Sequence, residues 1–232
     1  MQLPSLLDSG RIVGPGPVSI KQIARRCNLQ FPLSLRAFLR APGCPFSRCI
    51  RIHIKVLTNP TVTVDAMLRV MRQIYGTAGI RVEVVSREDL TGIPNFTALN
   101  NLDVGTCDGS PTSEQTALFQ NRNNVGTGDI VVYFVQTMGA SFDGCAIHPT
   151  GQDGAAIDQM AVGSVLAHEV GHVLGLRHIT PSEDCSKAPG TSGGPSTTRL
   201  MSACWLGNLV GIPVIDASEI NTMTGSSLVR AC

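Results

Sequence analysis

Aromatic side chains are scarce in this chain of 232 residues: one tryptophan, two tyrosines and seven phenylalanines amount to 4% of it. That leaves little surface on which bases could stack, and no nucleic-acid motif is evident, so nucleic acid is not an expected partner. Long apolar runs are missing as well. Hydrophobic residues are an ordinary 43%, but they are nowhere gathered into the roughly 20-residue stretch that a spanning helix needs, which excludes a transmembrane helix. The opening MQLPSLLDSG has no basic flank followed by an apolar stretch, so no signal peptide is visible. Cysteine, in contrast, is plentiful. Eight is an even number and more than a cytosolic enzyme usually carries, so a secreted, extracellular protein with disulfide bonds is expected. Proximity suggests Cys44 with Cys49, Cys107 with Cys145, and Cys185 with Cys204, although connectivity does not follow from sequence.

The net charge of +1 hides an uneven distribution. Residues 1–48 hold seven Lys or Arg against Asp8 alone, a balance of +6, which leaves −5 for the remainder. Together with the GPGP and RAPGCP clusters, this marks residues 1–48 as a separate basic N-terminal segment, readable as a basic arm for nucleic acid, an organelle transit segment, a pro-segment docked on an acidic domain, or a solvated basic surface. Residues 49–232 then form one domain.

Within that domain IRIHIKVL, residues 50–57, alternates as a half-buried strand, with His53 opposite the isoleucine face and therefore exposed. Apolar positions from Val64 to Tyr75 recur at helical spacing until Gly76 and Gly79. Residues 80–86 and GDIVVYFV, residues 128–135, read as further strands, giving a βαβ start and a mixed sheet. Residues 90–127 read as surface loop with one short helix near Glu114 to Gln120.

One segment dominates. HEVGHVLGLRH, from His168 to His178, puts His168 and His172 one helical turn apart on one face, where two imidazoles can share a metal ion. Were the helix to continue, His178 would lie about 9 Å further along its axis, whereas zinc holds nitrogens at about 2.0–2.1 Å. The chain must turn back, and Gly175 stands where a left-handed residue is required. Three neutral imidazoles leave a fourth zinc position open for water, the mark of a catalytic site, and Glu169 supplies a base. An ordinary amphipathic helix explains Val165, Leu166, Val173 and Leu174 but not a histidine placed just beyond the break. His148, in the glycine-rich stretch before this helix, reads as a loop residue rather than a fourth ligand. A Ca2+ site in that stretch finds no supporting loop pattern.

The zinc motif followed by RLMSACW, with Met201 at the methionine of a downstream turn, resembles the metzincin clan of metallopeptidases. The resemblance covers residues 49–232. It implies an α+β fold: a twisted mixed five-stranded sheet with a backing helix and the active-site helix, above a mostly irregular C-terminal subdomain ending in a helix near Ala217 to Thr224. It also implies that Met201 forms an apolar floor beneath the histidines, that an edge strand within Met138 to His148 pairs with extended peptide, and that Trp205 and Leu206 line a substrate pocket. Ile179 follows the third histidine and no tyrosine follows Met201, so placement among matrixin-like and pappalysin-like enzymes stays open. Neither Cys27 in RRCN nor Cys44 in PGCP reproduces the matrixin PRCG motif, which leaves a cysteine switch and ordinary disulfide pairing both open.

The expected function is a zinc-dependent endopeptidase acting on protein or peptide substrates: one Zn2+ held by His168, His172 and His178, and Glu169 assisting attack of the metal-bound water. The alternative is a zinc-containing binding module whose site is latent or occluded.

Overall fold

A computed structural model describes residues 46–139, 142–179, 183–204 and 211–232. Trp205, Leu206, Cys27 and Cys44 lie outside the described residues. The fold is α+β. A path of five strands runs β2-β1-β3-β5-β4, with β1 at Arg48–Val56, β2 at Ile80–Asp89, β3 at Ile130–Val135, β4 at Gly144–Cys145 and β5 at Gly154–Asp158. A short sixth strand, β6 at Arg230–Ala231, pairs antiparallel with the start of β1, beside the residues that β3 leaves unpaired. The first four strands of the path are parallel, and β4 is antiparallel to β5. The sheet is thus mixed, as expected, with β6 in addition.

Helix α1, Val64–Thr77, joins β1 to β2 in the expected βαβ unit. Thr63 caps it by accepting from the Ala66 N–H, and its apolar stripe buries Met67, Leu68, Met71, Ile74 and Tyr75. Each such side chain contributes about 1.5–3 kcal/mol on removal from water. The stripe faces Ile50, Ile52 and Ile54 of β1, Val132 and Phe134 of β3, and helix α4, Val165–Val173, in one continuous core. Helix α5, Ala217–Gly225, closes the chain's last part. Asp216 and Glu219 form a reciprocal capping box at its start, and Met223 reaches the same core.

Two expectations fail on the other face of the sheet. Residues 90–127 are not simply surface loop. Besides helix α2, Pro94–Thr97, and a 3-10 turn at Ala98–Asn100, they carry helix α3, Ser113–Phe119, which is the one short helix expected there, and they cover the sheet. Leu102, Val104, Leu118 and Phe119 pack there against Val131, Tyr133 and Val135 in a second core. The polar and glycine-rich spacing of this segment conceals the few apolar anchors that do the covering. For the same reason His53 is buried, at 1% exposure, instead of exposed. Alternation rightly places it opposite the isoleucines, but that face is covered too. β5 was concealed by its small residues, Gly154, Ala155 and Ala156, which leave no apolar alternation to read.

His53 belongs to a buried polar network. Its Nε2 donates to Asp129 Oδ2 at 3.0 Å, and its Nδ1 meets the Ser86 hydroxyl at 2.7 Å. A register shift between Ile52 and His53 makes this possible, because it bulges Val85 and brings Ser86 opposite the imidazole. Asp129, 1% exposed, also receives Arg230 at 2.6 Å and Arg51 at 3.4 Å. Burial would raise its carboxyl, yet the His53 hydrogen bond and the two guanidinium groups outweigh burial and hold it below the usual carboxylate range. Its contribution is therefore complete above that range and is lost as acid protonates it.

Cys107–Cys145 and Cys185–Cys204 are disulfides, as proximity suggested. Cys44–Cys49 is not: Cys49 is an unbridged thiol buried in β1, where strand pairing sets it opposite β6.

Asp129→Ala leaves His53 and two arginines without their shared anion. We expect a loss of about 3 kcal/mol in urea unfolding, and a loss below 1 kcal/mol would show that the network does not hold β6 to β3.

Candidate functional site

Helix α4 enters the core at Val165, Leu166 and Val170 and carries His168, Glu169 and His172 on adjoining positions. The phenol of Tyr75, on α1, donates to the Ala167 carbonyl at 2.9 Å, so the backing helix anchors α4 at the residue before the first histidine. The helix ends as the sequence requires. Gly175 has φ +98°, the Leu176 N–H donates to the Gly171 carbonyl and the Gly175 N–H to that of His172. These two bonds form the reversal in which a left-handed glycine closes the last turn.

That reversal returns His178 to the helix. The Nε2 atoms of His172 and His168 are 3.0 Å apart, those of His172 and His178 3.1 Å, and those of His178 and His168 3.3 Å. Tetrahedral nitrogens at 2.0–2.1 Å from a zinc ion stand about 3.3 Å from one another, so the donor set fits a metal of that size. Among the described residues these three histidines are the one group of three or more such side chains close enough to share an ion. The far ring nitrogens are committed elsewhere: His168 Nδ1 donates to the Leu200 carbonyl at 2.7 Å and His172 Nδ1 to that of Leu176 at 2.9 Å. This selects the tautomer whose Nε2 lone pair points inward.

Burial is graded across the triad. His168 is buried, His172 half-buried and His178 exposed, so the cluster opens to solvent on the side of the third ring. Burial pushes the imidazoles of His168 and His172 down to about 3 and about 4, and also lowers His178. All three are neutral at pH 7, the form in which imidazole binds metals.

Glu169 is buried at 7% exposure, and burial, with a smaller push from Asp143, raises its carboxyl to about 8. It lies against β4. A Cβ placed on Gly144 would stand 2.7 Å from the Glu169 carboxylate carbon and 2.7 Å from Oε1, which leaves room for hydrogen alone. Asp143, itself raised by burial and by Asp158, adds negative charge near this carboxylate. β4 is the last strand of the sheet path, and it lies within the segment expected to supply an edge strand.

Met201 is fully buried beneath the helix. A Cβ on Gly171 would meet its Sδ at 3.2 Å, so the glycine between the two helical histidines admits the methionine. The Ile179 N–H donates to the Met201 carbonyl at 3.0 Å, joining the turn to the third-histidine segment. Glu183 fixes the residues that follow: its carboxylate accepts from the Ser202 hydroxyl at 2.6 Å and the Ala203 N–H at 2.7 Å. Burial would raise this group, but those hydrogen bonds outweigh it and hold the carboxyl below the usual glutamate range. His148 stands outside the cluster, its Nδ1 donating to the Pro149 carbonyl and its ring 6.2 Å from that of Phe119.

No protein-family model matches the chain. No curated protein matches it either. Among solved structures it is similar to metalloproteinase-II from Bacteroides fragilis, with 15% identity over 77% of this chain and 53% of that one and a TM-score of 0.48. A protein in a chaperone–substrate complex is similar at 16% identity over 78% of this chain and 35% of the other, with a TM-score of 0.45. Archaemetzincin from Methanopyrus kandleri is similar at 14% identity over 75% and 93%, with a TM-score of 0.44. The chain spans about half the length of the first of these and about a third of the second. These likenesses are distant, and the chemistry of the site rests on its own residues.

Sequence reasoning missed Gly144, Asp143 and Glu183 as neighbours of the site. Nothing in FDGC or SEDC marks them, because each acts through a contact made across the fold.

Gly175→Ala forces a side chain into a left-handed backbone. The expected destabilisation is about 1–2 kcal/mol by chemical unfolding, and unchanged stability would contradict the reversal described here.

Proposed function

We propose that this protein is a zinc-dependent endopeptidase of metzincin type. The observation that carries the reading is the convergence of three inward-facing Nε2 atoms within 3.3 Å, beside a buried glutamate that lies against the last strand of the sheet path. His168, His172 and His178 would hold the ion, and an all-imidazole donor set suits zinc. Zinc, when bound, supplies Lewis acidity and lowers the pKa of water towards 7.

The remaining chemistry belongs to the chain. An extended peptide adds to the free edge of β4 by backbone hydrogen bonds, as peptides do at exposed sheet edges. Because Gly144 touches the Glu169 carboxylate, that placement brings a main-chain carbonyl next to the base. Glu169 accepts the proton of the attacking water and delivers it to the departing amide nitrogen, so the peptide C–N bond breaks while a C–O bond forms. Met201 supplies an apolar, polarizable floor beneath Gly171, between the two helical histidines. Protein and peptide substrates follow from this reading, and the two disulfides support an extracellular setting.

Profiling a diverse peptide library by mass spectrometry, with the zinc-loaded protein and its Glu169→Ala variant side by side, tests the proposal. The parent is expected to cleave and the variant to retain one zinc without turnover, whereas His172→Ala loses the zinc. Cleavage by a purified Glu169→Ala protein would sink the assignment of the base. Absence of cleavage by a zinc-loaded parent would favour a binding module with a latent site.

Gly144→Ala provides a finer check. Its Cβ displaces the Glu169 carboxylate, so kcat should fall about 100-fold with zinc content unchanged. Parental kcat would place the base elsewhere.

A further inference from the structure

Cys49 and Cys232 are the two cysteines among the described residues that carry no disulfide, and the fold sets them side by side. β6 pairs antiparallel with β1 in the register Arg48 with Ala231 and Cys49 with Arg230. Side chains alternate along a strand, so residue 232 emerges on the same face as residue 230 and hence on the face of Cys49. The register sets them diagonally across the β1–β6 pair, where the Cys49 thiol helps to raise that of Cys232. Cys49 is 3% exposed, whereas Cys232 faces solvent. On the opposite side of β1, Arg81 is the register partner of Cys49, and its charge interacts with both sulfurs.

Nothing in the zinc-site chemistry uses this pair, and the pair stands at the start of β1, on the strand that carries the His53–Asp129 network. We propose that Cys49 and Cys232 form a third disulfide, which latches β6 and the segment after α5 onto β1. The co-reactant is a small-molecule disulfide such as oxidised glutathione. The exposed Cys232 thiolate attacks one sulfur of the oxidant and releases one thiol. The Cys49 thiolate then attacks the Cys232 sulfur, its neighbour across the β1–β6 pair, and releases the second. Two protein S–H bonds are lost, one S–S bond forms, and the oxidant is reduced to two thiols.

The latch acts where β6 has least support. Its own pairing with β1 is two residues long, and Arg230 is the side chain through which it reaches Asp129 and the Gly128 carbonyl. A bond from Cys49 to Cys232 closes almost the whole described chain into one loop, the case in which a cross-link restricts the unfolded chain most.

The test uses the full chain in a glutathione redox buffer. Although its residue is exposed, the Cys232 thiol is partly desolvated against the strand and, with the neighbouring Cys49 thiol, is pushed up to about 12, so the exchange is run in alkaline buffer, then quenched with an alkylating reagent. Digestion without reduction and mass spectrometry should recover the peptides of Cys49 and Cys232 joined, with Cys107–Cys145 and Cys185–Cys204 intact. Alkylation of both thiols, a glutathione adduct left on Cys232, or either cysteine joined to a different partner would each overturn the proposal. Thermal unfolding supplies the second measurement. The oxidised protein should melt about 10 °C above the protein with both thiols reduced, and Cys232→Ser should show no such rise under the same oxidation. A bridge that forms without raising the midpoint would remove the latch and leave only the cross-link.

Discussion

Three imidazole nitrogens within 3.3 Å of one another are the constraint around which this molecule is arranged. Two come from one helical face at no conformational cost, because residues four apart already stack. The third lies six residues on and can join them only if the helix stops and the chain reverses within a few residues. Gly175 makes that reversal at φ +98°, and the helix must end there whatever its propensity to continue. Everything that supports the cluster then acts on this helix–turn segment: Tyr75 on its first turn, Met201 under Gly171, and the Leu200 and Leu176 carbonyls that orient two of the rings.

Burial does two opposed things in so small a space. It keeps the histidines neutral, so that their lone pairs are available, and it raises the Glu169 carboxyl to about 8. Both effects have one source, the penalty on charge away from water. A cation among the rings would partly restore the ionised form of the glutamate while leaving the histidines committed to it. The absence of a side chain at Gly144 lets the edge strand approach the carboxylate to contact distance. The buried carboxylate and the last strand of the sheet path thereby meet at a residue with nothing but a backbone.

At the far side of the sheet, polar groups do a different task. Asp129, His53, Arg51 and Arg230 tie β3, β1 and β6 together within a layer otherwise held by apolar packing. Such a network contributes less through the strength of each bond than through the cost of leaving any member unpaired. It also explains how a strand of two residues is held at all.

The local elements of the site were legible because they follow from covalent spacing. The offsets between His168, His172 and His178, the need for a left-handed residue at Gly175, the alternation in β1 and the stripe of α1 all depend on neighbours a few residues apart, and the backbone admits few solutions. The pairings Cys107–Cys145 and Cys185–Cys204 also followed from proximity, whereas Cys49 met a different neighbour. What the sequence could not decide was which surfaces meet. For His53, alternation says which face its side chain takes and nothing about what covers that face. β5 was hidden by small residues, and the segment 90–127 concealed a second core behind polar spacing. The approach of Gly144 to Glu169, of Met201 to Gly171 and of Cys232 to Cys49 joins residues distant in the chain. Those contacts depend on the order and register of the strands, which the packing of the whole sheet selects and no local pattern encodes.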